Sequence, residues 1–234
     1  ISGGAALNPE IGSFFMALGV KILQGYGQTE ASPVISANRP NKIKIETVGP
    51  PVAGVEVKFA PDGEILVQGD LLMKGYWRDE NSTGAAIQDG WLHTGDIGSM
   101  DKDGYITITG RKKEIIVNSG GENIVPTRVE ALLTIEPEIE QAMVDGDQRP
   151  WLVAVIVPSP EAREKAQSEE ALNLLITETI ERANSRLSQI ERVRRFIIAD
   201  DHFTSENSQL TATLKVRRHI VKAKYQDKLT ALYS

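Results

Sequence analysis

The stretch GWLHTGDIGSMDKDGYITITGRKKEIIVNSGGEN, residues 90–123, contains a change of pattern on which the fold turns. Two β-rich runs, WLHTGDIGSM and YITITG, flank Asp103-Gly104, a dipeptide suited to the tight turn of a hairpin. Past Arg111 the alternation stops. EIIVNSG reads as one short strand, and VPTRVEALLT reads as a helix with Val129, Leu132 and Leu133 on one side. The span therefore joins an antiparallel region to a region of strands interleaved with helices, and a boundary is expected at Gly110-Arg111-Lys112-Lys113.

Upstream, the antiparallel pattern extends back to about residue 45. GVEVKFA and PDGEILVQG are short strands around Asp62-Gly63, a second hairpin signal. This middle third is expected to form a small antiparallel sheet or barrel, residues 45–110. Residues 7–18 place Leu7, Ile11, Phe14, Phe15 and Leu18 at helical intervals after Asn8-Pro9. Residues 20–23 read as a short buried strand entering the loop QGYGQTE. Downstream, EQAMVDGD and WLVAVIVPS are strands, the second apolar on both faces and so central. Residues 168–187 carry the stripe Leu172, Leu175, Ile176, Ile180, Ala183 and Leu187 of an amphipathic helix. VRRFIIADD is a further strand, and VRRHIVKAKYQDKLTAL a closing helix. The fold class is α+β: residues 1–110 end one domain, and residues 111–234 form a compact second one.

Composition narrows the function classes. Hydrophobic residues make up 41% and charged residues 25% of the 234 positions, as in an ordinary soluble globular protein. The net charge of −6 and the lack of a long basic run argue against a nucleic-acid partner. Cysteine is absent, which excludes disulfides and thiolate chemistry from this span and fits a reducing compartment. His93, His202 and His219 are far apart and have no metal-ligand spacing. His93 reads as a structural strand residue. No apolar run reaches the ~20 residues of a membrane-spanning helix. The opening ISGGAAL, starting at Ile1, reads as the continuation of a longer chain.

Three stretches carry candidate chemistry, each with a plainer alternative. In QGYGQTE, glycines flanking Tyr26 let backbone approach a ligand, Thr29 offers a hydroxyl, and Glu30 offers a hard oxygen suited to Mg²⁺. The same loop also reads as a strand-to-loop turn with a surface Glu. In HTGD, Asp96 is placed to accept both hydroxyls of a ribose, or is an ordinary turn residue. Arg111 joins it at the sugar or is a solvated edge charge. In LTATLKVRR, Lys215 ends a polar loop where a helix begins, either as a mobile point charge or as part of a solvated basic face.

Taken in order, SGGAAL, GYGQTE, GWLHTGDIG, DGYITITGRKKEIIVNSGGENIVP and LTATLKVRR resemble the adenylate-forming superfamily of acyl-CoA synthetases, luciferases and peptide-synthetase adenylation domains. The wording GRKKEIIV and LTATLKVRR is most similar to long-chain fatty-acid–CoA ligases. The resemblance covers essentially the whole chain. It implies that a carboxylic acid, such as a fatty acid, attacks ATP to give an acyl-adenylate, and that CoA then displaces AMP. It implies Gly4, Ala5 and Ala6 lining an adenine pocket, with Tyr26 stacking on the ring and Gly27 in the same loop. Thr29 would bond the α-phosphate, Glu30 would help to hold Mg²⁺, and Asp96 with Arg111 would hold the ribose. Lys215 would bridge the carboxylate and α-phosphate oxygens. Lys113 matches the hinge about which the small domain turns, and Ser119, Gly120, Gly121 and Glu122 match the CoA tunnel. A cytoplasmic location, with peripheral membrane contact through the lipid substrate, also follows from the resemblance.

The match has gaps. The family's phosphate-wrapping loop, gate residue and acyl tunnel would lie upstream of SGGAAL, so only the end of the large domain and the small domain are expected here. That would leave the chain inactive without the upstream segment. Many relatives carry proline where Ala6 stands, and some carry a second lysine where Val117 stands. Two other readings stay open. One is an acyl-adenylate ligase that passes the acyl group to a carrier protein, and the other is a non-catalytic nucleotide-binding module.

Overall fold

Alternating side chains and glycine turns build the first part of the chain. The computed structural model describes residues 1–4 and 7–234. Helix α1, Pro9–Ala17, is capped by the Asn8 side chain, which accepts from the amides of Glu10 and Ile11. Its apolar residues Ile11, Phe14 and Phe15, with Leu18 just beyond, remain exposed. The strand expected over residues 20–23 does not form. Among the described residues it gains Ser2 N–H to Leu23 O at 2.8 Å and, just past its end, an isolated bridge from Ser2 to Gln24, but no ladder, and the first strand is β1, Gly25–Tyr26. It pairs with β2, Ser36–Ala37.

Strands β3, Glu56–Phe59, and β4, Glu64–Gln68, form the first expected hairpin, and Gly63 turns it at φ +84°. Helix α2, Glu80–Ala86, was not foreshadowed by periodicity; Asp79 caps it. Strands β5, Ile87–Gln88, β6, Trp91–Met100, and β7, Ile106–Arg111, complete a curled antiparallel sheet of five strands. Its order is β3-β4-β6-β5, with β7 also on β6. Ile65, Val67, Leu92 and Ile106 bury one face of this sheet against Tyr26, Ala31 and Ile35. Removing about 25 cal/mol per Å² of apolar surface from water is what holds these short elements together.

The chain divides between Lys113 and Glu114 into two compact units. In the second unit, β8, Ile116–Val117, and β9, Asn123–Ile124, form a small hairpin before α3, Pro126–Leu133. A three-stranded sheet follows, from β10, Ile139–Asp145, β11, Leu152–Pro158, and β12, Val193–Ile198. Its order is β10-β11-β12, and every residue of β11 is buried, as its unbroken apolar run implies. Leu152, Ala154 and Ile156 face a core shared with α3 and with α5, Glu169–Asn184. Val153, Val155 and Val157 face the opposite core, shared with α6, Arg218–Ala231. The parallel step from β11 to β12 crosses through α4, Pro160–Lys165, and α5. The closing helix begins at Arg218, so Lys215 lies in the loop before it and not at the helix start. No described helix is long and apolar enough to cross a membrane.

Candidate functional site

Asp96 projects from an irregularity in β6. On β4 the step from Glu64 to Leu66 faces the step from Ile97 to His93, so β6 bulges around Gly95, whose φ is +71°. Side chains satisfy the amides that the bulge frees. Gly95 N–H donates to Glu64 Oε1 at 3.0 Å, and Asp96 N–H donates to Thr94 Oγ1 at 3.1 Å. Thr94 in turn donates to the carbonyl of Ile65 at 2.7 Å. On the other side, Asp96 sits directly opposite Arg111 in the β6–β7 register.

The Asp96 carboxylate is bonded at both oxygens. Tyr26 OH donates to Oδ2 at 2.6 Å, and Arg111 Nε pairs with Oδ1 at 2.9 Å. Asp96 is 5% exposed, whereas the Arg111 side chain is 53% exposed. Burial, then the neighbouring Asp96 charge and hydrogen bond, push the Tyr26 phenol far above its usual range. Tyr26 is therefore a neutral donor at physiological pH, and an acid 70 positions away in sequence is fastened to it. Tyr26 is 9% exposed, so its ring belongs largely to the core and little of its flat face is open.

The structure thus brings three expected site residues, Tyr26, Asp96 and Arg111, into one contact. Gly4 is exposed, and its segment lies alongside the Tyr26 loop through Ser2 N–H to Leu23 O at 2.8 Å and Gly25 N–H to Ser2 O at 2.9 Å. Ala5 and Ala6 lie outside the described residues. Gly27 is required for packing, because a Cβ there would come within 1.6 Å of the Pro33 carbonyl oxygen. The turn back to β2 demands that glycine.

Thr29 and Glu30 form a single 3₁₀ turn, Thr29–Ala31, with Thr29 exposed. Glu30 is held twice by the 73–76 segment: Met73 N–H donates to its carbonyl at 2.8 Å, and Tyr76 OH donates to Oε1 at 2.9 Å. Among the described residues no group of three or more acidic or histidine side chains could cage a metal. A lone carboxylate such as Glu30 fits Mg²⁺ in the way usual for nucleotide sites, where phosphates and water complete the octahedron.

In the second unit, residues 118–122 make a tight turn at the tip of the β8–β9 hairpin. Asn118 Oδ1 accepts from Gly120 N–H at 2.9 Å and from Glu122 N–H at 3.0 Å. Gly121 has φ +82°, and a Cβ there would meet nothing within 4 Å, so conformation is what calls for glycine. Ser119 is exposed, and its N–H donates to Arg149 O at 3.0 Å. Lys215 is exposed, held through its backbone by Thr211: Lys215 N–H to Thr211 Oγ1 at 3.0 Å, and Thr211 N–H to Lys215 O at 2.8 Å. Lys113 is exposed, at the end of the first unit.

Residues 1–77 match the AMP-binding enzyme family, and residues 113–234 match the AMP-binding enzyme C-terminal domain. The chain is a member of the AMP-binding enzyme family. It is similar to the long-chain-fatty-acid–CoA ligase FadD15 of Mycobacterium bovis, at 41% identity over 249 residues. That alignment takes in 100% of this chain and 42% of FadD15. It is also similar to AEE15 of Arabidopsis thaliana, a chloroplastic long-chain-fatty-acid–[acyl-carrier-protein] ligase, at 35% identity over 100% of this chain and 35% of that protein. Among solved structures, the A-PCP didomain of a carboxylic acid reductase from Segniliparus rugosus, in complex with AMP, superposes with TM-score 0.85 at 30% identity. This covers 99% of this chain and 34% of that one. An o-succinylbenzoate-CoA synthetase from Bacillus subtilis, with ATP and magnesium ion, gives 0.73 at 28% identity over 93% of this chain and 44% of that one. The chain therefore spans less than half the length of each of these four proteins.

Several well-placed residues were not legible as site candidates. Tyr76, Glu64 and Lys112 touch expected site residues or their neighbours through long-range contacts, and Thr94 accepts from the amide of Asp96 two positions on.

Proposed function

We propose that this chain is the C-terminal portion of an ATP-dependent acid–thiol ligase that converts a fatty acid, ATP and CoA to acyl-CoA, AMP and pyrophosphate. Its activity would depend on an upstream segment of the kind its relatives have. The observation that carries this reading is the Asp96 carboxylate, buried on β6 and oriented by Tyr26 and Arg111. A fixed acid of this sort accepts the two hydroxyls of a ribose. Thr29 and Glu30 follow Tyr26 within the same loop and would face the phosphates. Mg²⁺ bound with Glu30 would neutralise phosphate charge as the anionic acid approaches.

Lys215 supplies the cation between the incoming carboxylate and the α-phosphate. Attack at phosphorus is catalysed mainly by positioning and charge stabilisation, so one lysine on an exposed loop suits the task. The large domain is taken as ending near Lys113 and the small mobile domain as following it, with the pivot at residues 111–113. Residues Ser119, Gly120, Gly121 and Glu122 would serve the CoA thiol arm after the turn. Gly4, with Ala5 and Ala6, would border the adenine.

A second reading keeps the adenylate and changes the acceptor to a carrier-protein thiol. It is favoured by the likeness to AEE15, an acyl-carrier-protein ligase. The test joins the chain to the upstream segment of its relatives and measures fatty-acid-dependent ATP–pyrophosphate exchange, then AMP release with CoA or with carrier protein. Exchange with CoA-dependent release is expected. Absence of exchange overturns the ligase reading, and release with carrier protein alone moves the acceptor.

A further inference from the structure

Glu64 is a buried carboxylate that the proposed chemistry does not use. Its side chain is 6% exposed, on the strand next to Asp96. An unpaired charge in that position would cost several kcal/mol, so its partners define it. There are three. Oε1 accepts the Gly95 amide at 3.0 Å, while Oε2 lies 3.0 Å from Lys112 Nζ and 3.3 Å from His93 Nδ1. Lys112 is also paired with Asp62 at 2.5 Å, at the turn leading into the same strand.

The sequence positions of these partners matter more than their number. Gly95 immediately precedes Asp96, and Lys112 immediately follows Arg111. One carboxylate therefore grips the backbone before the acid and the side chain after the guanidinium. We propose that Glu64 is a positioning residue that braces the Asp96–Arg111 pair. Its Oε1 pins the Gly95 bulge from which Asp96 projects, and its Oε2 holds the end of β7 from which Arg111 reaches back. The brace also ends one residue before Lys113, so the first unit is held firmly up to that point. Burial alone would raise the Glu64 carboxyl, but Lys112, the Gly95 amide and His93 outweigh it and keep the group ionised below the usual range.

The functional half of this inference rests on the reading of Asp96 and Arg111 as sugar contacts; the geometric half does not. The test therefore has two arms. In the first, amide exchange at Gly95 and the Arg111 Nε–H resonance are followed by NMR in this chain, with Glu64→Gln and Lys112→Met. Lys112 is 48% exposed, so its variant should fold even if the first does not. Lys112→Met is expected to move the Arg111 signal, Lys112→Arg to restore it, and Glu64→Gln also to speed Gly95 exchange about tenfold. Unchanged Gly95 and Arg111 signals in the folded variants overturn the brace.

In the second arm, the ligase with its upstream segment is assayed for exchange. Glu64→Gln is expected to raise the KM for ATP about tenfold with kcat nearly constant, the signature of lost ground-state positioning. Lys44→Met removes the ion pairs with Asp101 and Asp103 at the turn joining β6 to β7, away from Glu64, and should change neither. A lower melting temperature with unchanged KM would make Glu64 structural only and overturn the proposal. If the wild type shows no exchange, the ligase reading falls, and the NMR arm alone decides the brace.

Discussion

The carboxylate of Asp96 is enclosed on β6 with both oxygens bonded, whereas the ammonium of Lys215 stands in solvent on a loop held by backbone contacts to Thr211. Among the described residues Lys215 has no ion pair. The difference suits the two tasks proposed for them. A group that receives a neutral sugar gains from being fixed in advance, because ordering it later would cost entropy. A cation needed for one half-reaction and displaced for the next gains from a loop that moves without breaking a core.

The sharpest way to break this contrast is to truncate each residue and compare activity with stability. Asp96→Ala strands the Tyr26 hydroxyl and frees Arg111. Exchange in the full ligase should fall about a thousandfold, and chemical denaturation of this chain should show a loss of about 2 kcal/mol. Lys215→Ala should lower exchange about a hundredfold while leaving stability within about 0.5 kcal/mol, and thioester formation from supplied acyl-adenylate should persist. If Lys215→Ala destabilised the fold as much as Asp96→Ala, the contrast between fixed and mobile groups would be lost.

Lys113→Pro probes the proposed pivot, since proline restricts the torsions a hinge must pass through. Thioester formation should slow about tenfold with exchange retained, and a normal overall rate would remove Lys113 from the role. Tyr76→Phe is a smaller perturbation. It deletes one hydrogen bond to Glu30, worth about 1 kcal/mol, so the Mg²⁺ concentration giving half-maximal exchange should rise about fivefold. An unchanged Mg²⁺ response would uncouple Tyr76 from Glu30.

The smallest effect lies in acid. The folded Glu64 carboxyl sits below its unfolded value, so the folded state holds fewer protons in that interval. Its contribution is present above the unfolded pKa, near 4.3, and is lost as pH falls through the lower folded one. Denaturation curves taken below about pH 4.5 should therefore be flatter with pH for Glu64→Gln than for the native chain.

Much of the architecture follows from local pattern. The run LVAVIVP has no polar face and became the buried β11; Leu172, Ile176, Ile180 and Ala183 became the buried side of α5, and Leu187 is buried just past its end. The Asp-Gly turns formed where their φ > 0 preference directed them. The strand over residues 20–23 failed because an apolar run is a strand only if a neighbour supplies hydrogen bonds, and among the described residues Ser2 alone pairs alongside it. Of the candidate site, the acid, the loop and the lysine were visible as residue types at characteristic separations.

The amino-acid sequence by itself determined which chemical groups are present, the order of elements, and membership of the AMP-binding enzyme family, because periodicity and motif are one-dimensional properties. Only tertiary structure decided that Tyr26 would donate to Asp96 across 70 positions, that Tyr76 would reach Glu30, and that Glu64 would grip both sides of the Asp96–Arg111 pair. The contacts of Asp96 and Glu64 depend on strand register and a bulge at Gly95, where a slip of one residue would turn every side chain to the other face.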